Sequence, residues 1–107
     1  MEIDRKTLAQ QAHALAEGLM GPGKPAQEGH FMSVWDWYQG VALFGLYTYY
    51  RQTREQRVWD YLIGWFDAQM QRGLPEKNVN SMCPLLTLSF LYEDTGNEAY
   101  LEVCREW

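Results

Sequence analysis

Two stretches of this chain carry no charged residue at all: Trp37 to Tyr50 and Asn78 to Tyr92. Around them the sequence is charged and amphipathic. Leu8, Ala12, Leu15, Ala16 and Leu19 recur as one stripe at helical spacing, and Val58, Tyr61, Leu62, Trp65 and Phe66 form another. A helix that is apolar on every side must be covered on every side, whereas an amphipathic helix covers it with one face. The alternation therefore predicts outer, inner, outer, inner, outer: two layers of helices. Neither uncharged run reaches the ~18–20 apolar residues of a membrane span, and Gln39, Thr48, Ser81 and Ser89 interrupt them.

Helices are predicted near 5–20, 34–52, 55–72, 81–93 and 97–107, with 37–50 and 81–92 as the inner layer. Asp4 and Asn97 are N-cap candidates, and Thr53-Arg54-Glu55-Gln56 has capping-box spacing. Gly21-Pro22-Gly23 and Gly73-Leu74-Pro75 stop the first and third helices. Pro84 is tolerable in a first turn, whose N–H groups are spare. No segment alternates with period two, so the class is all-α. A repeat supports the layering: Tyr50-Arg51-Gln52-Thr53 recurs about 42 residues later as Tyr92-Glu93-Asp94-Thr95, and Trp65 meets Trp107 at the same offset. The unit is a helical hairpin. Two units and a fraction fall short of the about three needed for a continuous core, so the chain reads as part of a longer helical array.

The repeat sets Trp35-Asp36-Trp37-Tyr38-Gln39-Gly40, which leads into the first inner helix, against Lys77-Asn78-Val79-Asn80-Ser81-Met82, which leads into the second. Both emerge at the same end of the layers, at the positive ends of two helices. Indole faces take the apolar face of a sugar ring, and Asp or Asn can hold its hydroxyls. Structural duties compete for the same residues. Trp35 and Trp37 can be core, Asp36 can cap a helix within a Ser33-to-Asp36 capping box, and Asn78 and Asn80 can be turn residues. His13 and His30 have no second ligand at metal spacing, so no metal or cofactor is expected. Gly21-Pro22-Gly23 lacks the frame of a phosphate loop. Nine Lys and Arg against fourteen Asp and Glu leave a net charge of -5 with no basic run, which argues against nucleic acid and anionic membrane as partners. Cys83 and Cys104, without CxxC spacing, read as reduced thiols, and the opening residues lack a secretory pattern, so the expected location is cytoplasmic.

Three segments together resemble glycoside hydrolase family 105 and its relative family 88: Val34 to Leu46, Asn78-Val79-Asn80-Ser81-Met82-Cys83-Pro84-Leu85-Leu86, and Leu91-Tyr92-Glu93-Asp94-Thr95-Gly96. The resemblance implies an (α/α)6 barrel, of which residues 1–107 would be a partial domain at the N-terminal end, with the active site at one end of the inner helices. It implies unsaturated rhamnogalacturonyl or glucuronyl hydrolase activity on oligosaccharides left by polysaccharide lyases. There a carboxylic acid protonates the enol-ether double bond of a 4,5-unsaturated uronate, water adds, and the resulting hemiketal opens. Trp37 falls where the family has an aromatic residue against the uronate, and Asn80 where several members have a catalytic-site Asp. Asn has no ionisable proton to give, so Asn80 can orient water or substrate but cannot act as the acid. The family's principal acid/base lies on a later inner helix, beyond Trp107, and the 107 residues alone are expected to be inactive. Trp35, Asp36 and Asn78 complete the expected substrate-binding set. Other readings of the residues are a non-enzymatic HEAT-like scaffold and a different (α/α)-barrel sugar enzyme such as an epimerase. With only two inner helices, the inner flank is expected to be exposed or covered by self-association.

Overall fold

The computed structural model describes residues 4–21 and 30–107. It contains α1 (Arg5–Met20), a single 3₁₀ turn (Phe31–Ser33), α2 (Trp37–Thr53), α3 (Gln56–Arg72), α4 (Leu85–Thr95) and α5 (Glu98–Glu106). Among the described residues there is no strand. Pro22 and Gly23, part of the expected stop after α1, lie outside the described residues, as do the first three residues of the chain.

The caps explain where most elements begin and end. Asp4 accepts the Thr7 amide at 2.7 Å, and Asn97 accepts the Ala99 amide at 3.0 Å, both as their side-chain chemistry predicts. Gly96, at φ 69, closes α4 two residues later than expected. The capping box before α3 does not form. Thr53 is still helical, so its hydroxyl donates back to the Tyr49 carbonyl at 3.0 Å, and Glu55 takes the N-cap position without a side-chain cap bond. Two starts also shift. α2 begins at Trp37 rather than 34, because Val34 and Asp36 are extended and Asp36 caps the helix by accepting the Trp37 amide at 2.7 Å. α4 begins at Leu85 rather than 81, because the Asn78 side chain accepts the amides of Asn80 and Ser81 and spends those donors on a local turn.

α2 packs against α3 and α4, α4 against α5, and α1 against α2 and the 3₁₀ turn. The two helices that carry the uncharged runs thus form the inner layer. Leu43, Leu46 and Tyr47 of α2 and Leu88 and Leu91 of α4 meet Val58, Leu62, Trp65 and Phe66 of α3 and Tyr100 and Val103 of α5 in one core. The Tyr100 hydroxyl, held well above the ordinary phenol range by burial and then by its bond to Asp67, donates to Asp67 Oδ1 at 2.8 Å and ties α5 to α3.

The stripe predicted for α1 is only partly used. Ala16 and Met20 are buried, but Leu8 is 49% and Leu15 70% exposed. α1 docks through its C-terminal half, and beyond that a cleft of about 810 Å³, walled by Ala9, Ala12, Gly45 and Thr48, separates it from α2. The inner layer is likewise covered on one side only: Tyr38, Val41 and Phe44 of α2 and Leu86 of α4 are exposed.

Candidate functional site

The segments leading into α2 and α4 are joined directly. The Trp35 indole N–H donates to the Ser81 carbonyl at 2.7 Å. Its ring stacks between Trp65 (centroids 5.5 Å apart) and Trp107 (6.0 Å), with Phe66 edge-on at 5.6 Å. Lys77 places its ammonium 5.7 Å above the Trp107 ring, close enough for a cation–π contact. Further bonds pin the approach to α2: Gln69 and Arg72 donate to the Ser33 carbonyl at 2.8 and 2.9 Å, and Gln39 donates to the Phe31 carbonyl at 2.8 Å.

Beside this stack lies a concavity of about 160 Å³ lined by Trp35, Asp36, Asn78, Asn80 and Ser81, with Pro75 and Glu76 on its rim. Four of the five residues expected from the sequence therefore meet in one place. They also carry the structural duties weighed against them. Trp35 is only 5% exposed and belongs to the core. One Asp36 oxygen caps α2, and the Asn78 oxygen is committed to the turn. Asn80 differs: it is exposed, and its side chain makes no hydrogen bond with a described residue. Trp37, the fifth, does not line the concavity. It is 41% exposed and its ring stacks on Tyr38 at 3.9 Å, on the uncovered flank of α2.

Three residues of this end were not singled out as site residues. Ser81 was signalled only by its place three after Asn78, a spacing that lets an Asn side chain close a turn. Trp107 was visible as the repeat partner of Trp65. Glu76 had no local signal, because only the fold of the 76–81 turn brings it to the rim. Chemically, the concavity brings together two acidic residues, Asp36 and Glu76, and the side-chain amide of Asn80, a set suited to hydroxyl groups. Among the described residues no group of three or more His, Cys, Asp and Glu side chains could hold a metal ion. His30 accepts the Met32 amide at 3.1 Å and so caps the 3₁₀ turn, while His13 bonds Tyr49 at 3.1 Å.

Comparison with known proteins gives this arrangement its family. The chain is 38% identical over 72 residues to the unsaturated rhamnogalacturonyl hydrolase YesR of Bacillus subtilis (strain 168), covering 67% of the chain and 21% of that protein. It superposes over its whole length on 32% of a structure described as a possible member of the GH105 family from Klebsiella pneumoniae subsp. pneumoniae MGH 78578, with TM-score 0.81 and 32% identity. A second such structure, from Salmonella enterica subsp. enterica serovar Paratyphi A str. ATCC 9150, gives TM-score 0.82 and 30% identity, again over all of this chain and 32% of that one. The chain thus spans a third or less of the length of these relatives. Its hairpins are all-α and layered as in part of an (α/α)6 barrel. Because the model of Glycosyl Hydrolase Family 88 matches residues 22–107, most of the chain, this chain belongs to that family.

Proposed function

We propose that residues 1–107 form part of an (α/α)6-barrel hydrolase that removes a 4,5-unsaturated uronate from lyase-generated oligosaccharides by hydrating its double bond. The observation that carries this reading is the meeting of Asp36, Asn78 and Asn80 in one concavity at the end of the inner layer, in a chain 38% identical over 72 residues to a rhamnogalacturonyl hydrolase. In this scheme Asn80, whose side-chain amide has no partner among the described residues, orients a sugar hydroxyl or the attacking water. Asp36, anchored through one oxygen to the Trp37 amide, accepts from a hydroxyl with the other. Asn78 holds the turn, Trp35 backs the site, and Trp37 meets the ligand from the neighbouring flank. The proton donor that hydration of an enol ether needs is assigned, as the resemblance to family 105 implies, to a later inner helix of the barrel; Asn80, which cannot ionise, does not supply it. Both cysteines are free thiols, which fits a cytoplasmic enzyme.

The test uses the purified chain and an unsaturated uronyl disaccharide. Titration should shift the backbone amide signals of Asn80 and Asp36, while the ultraviolet absorbance of the double bond persists. Turnover would overturn the assignment of the acid to another segment, and binding that leaves both signals in place would remove the site.

The same reading has the exposed inner flank, Tyr38, Val41, Phe44 and Leu86, covered by a second copy when the chain is alone. Each such side chain gains about 1.5–3 kcal/mol on full burial, so the mass measured by light scattering should rise with concentration towards a dimer. A monomer at every concentration would refute self-association through this face.

A further inference from the structure

We propose that Ser81 is a positioning residue of this site: it sets the reach of Asn80 and the seat of Trp35 together. The inference rests on the uronide reading for the identity of the ligand, and on the geometry alone for the role. Ser81 is 3% exposed, and every hydrogen-bonding group it has is engaged. Its hydroxyl accepts the Asn78 amide at 2.8 Å and the Trp107 indole N–H at 3.3 Å, and donates to the Glu76 carbonyl at 2.8 Å. Its own amide donates to Asn78 Oδ1 at 3.0 Å, beside the Asn80 amide at 2.9 Å. Its carbonyl holds the Trp35 indole.

The Asn80 side chain has no partner of its own among the described residues, so only the backbone that carries it limits where it can reach. That backbone is a turn closed by Asn78 from one side and by the Ser81 hydroxyl from the other. The hydroxyl reaches back to Glu76 and across to Trp107, locking the rim of the concavity to the aromatic stack behind it. Buried at this depth, its bonds are not cheaply replaced by water.

Ser81→Ala removes the hydroxyl and little volume, and Ser81→Thr restores it. In Ser81→Ala, hydrogen exchange at the Asn78 amide should rise about tenfold, the equivalent of one lost hydrogen bond, and exchange at Asn80 should rise with it. The Leu88 and Leu91 amides in the core should keep their protection. Affinity for the unsaturated uronyl disaccharide should fall by about the same factor, with Ser81→Thr recovering both readouts. Unchanged exchange at Asn78 and Asn80 would overturn the proposal. So would unchanged affinity in a variant whose turn has loosened, or loss of protection at Leu88 and Leu91, which would mark a fold-wide role. If Ser81→Ala does not fold, Ser81→Thr decides: wild-type exchange and affinity support the proposal, and their loss in a folded protein that keeps the hydroxyl overturns it. If the unsubstituted chain does not bind the disaccharide, the uronide reading fails, and the exchange measurements alone decide the role of Ser81.

Discussion

Trp65→Ala should cost about 3–5 kcal/mol of folding stability, a large share of the ~5–15 kcal/mol of a typical domain. Trp65 is fully buried, stacks on Trp35 and meets Phe66 edge-on at 4.9 Å. Its indole N–H donates to the Met32 carbonyl at 2.5 Å. Truncation therefore opens a cavity, strands a buried acceptor and removes one wall of the stack that seats Trp35. Urea unfolding followed by circular dichroism should show the midpoint falling sharply or the folded baseline disappearing. Trp65→Phe, which keeps a ring, should lose less. A loss under about 1 kcal/mol for the alanine variant would mean that the stack is not a centre of cohesion.

Gly40→Val should destabilise by about 1–3 kcal/mol, although glycine is a poor helix former. A Cβ at position 40 would stand 2.7 Å from the backbone carbon of Cys83 and equally close to its Cβ and Sγ. A backbone atom cannot swing away, so α2 and the turn leading into α4 would have to part. Gly45 provides the contrast within the same helix. Nothing lies within 4 Å of a Cβ built there, and Gly45→Ala should stabilise by up to about 1 kcal/mol through helix propensity. Opposite signs for two substitutions in one helix would be read directly from urea midpoints. Stabilisation by Gly40→Val would show that α2 and the turn before α4 are not in close contact. Cys83 follows Asn80 by three residues, so a folded Gly40→Val variant should also show altered amide signals at Asn78 and Asn80.

The legible parts of this molecule were those written locally. The absence of charge from Trp37 to Tyr50 and from Asn78 to Tyr92 marked the inner helices, because an apolar surface on every side has to be covered wherever it stands. Asp4 and Asn97 announced their caps, because a cap needs only an oxygen two or three residues before the N–H groups it satisfies. The offset of about 42 residues brought Trp35 and Asp36 to the same end as Asn78 and Asn80, because each inner helix repeats the same hairpin geometry.

Other features belong to the tertiary structure alone. Thr53 reads as a cap by spacing, yet the preceding helix still holds it and takes its hydroxyl. The Leu8 and Leu15 stripe promises a buried face, but α1 meets its neighbours only further along. The ring of Trp37 turns to Tyr38, whereas Trp35, two residues earlier, is drawn into a stack with Trp65 and Trp107. Gly40 matters because Cys83, distant in sequence, arrives against it. Which segments are helical and which are inner could be read along the chain, since periodicity, charge and capping act over a few residues, and the repeat then put the polar turns at one end. Which aromatic ring is buried, how closely the inner helices approach and what holds Asn80 in place were decided only by packing, since those contacts join residues separated by dozens of positions.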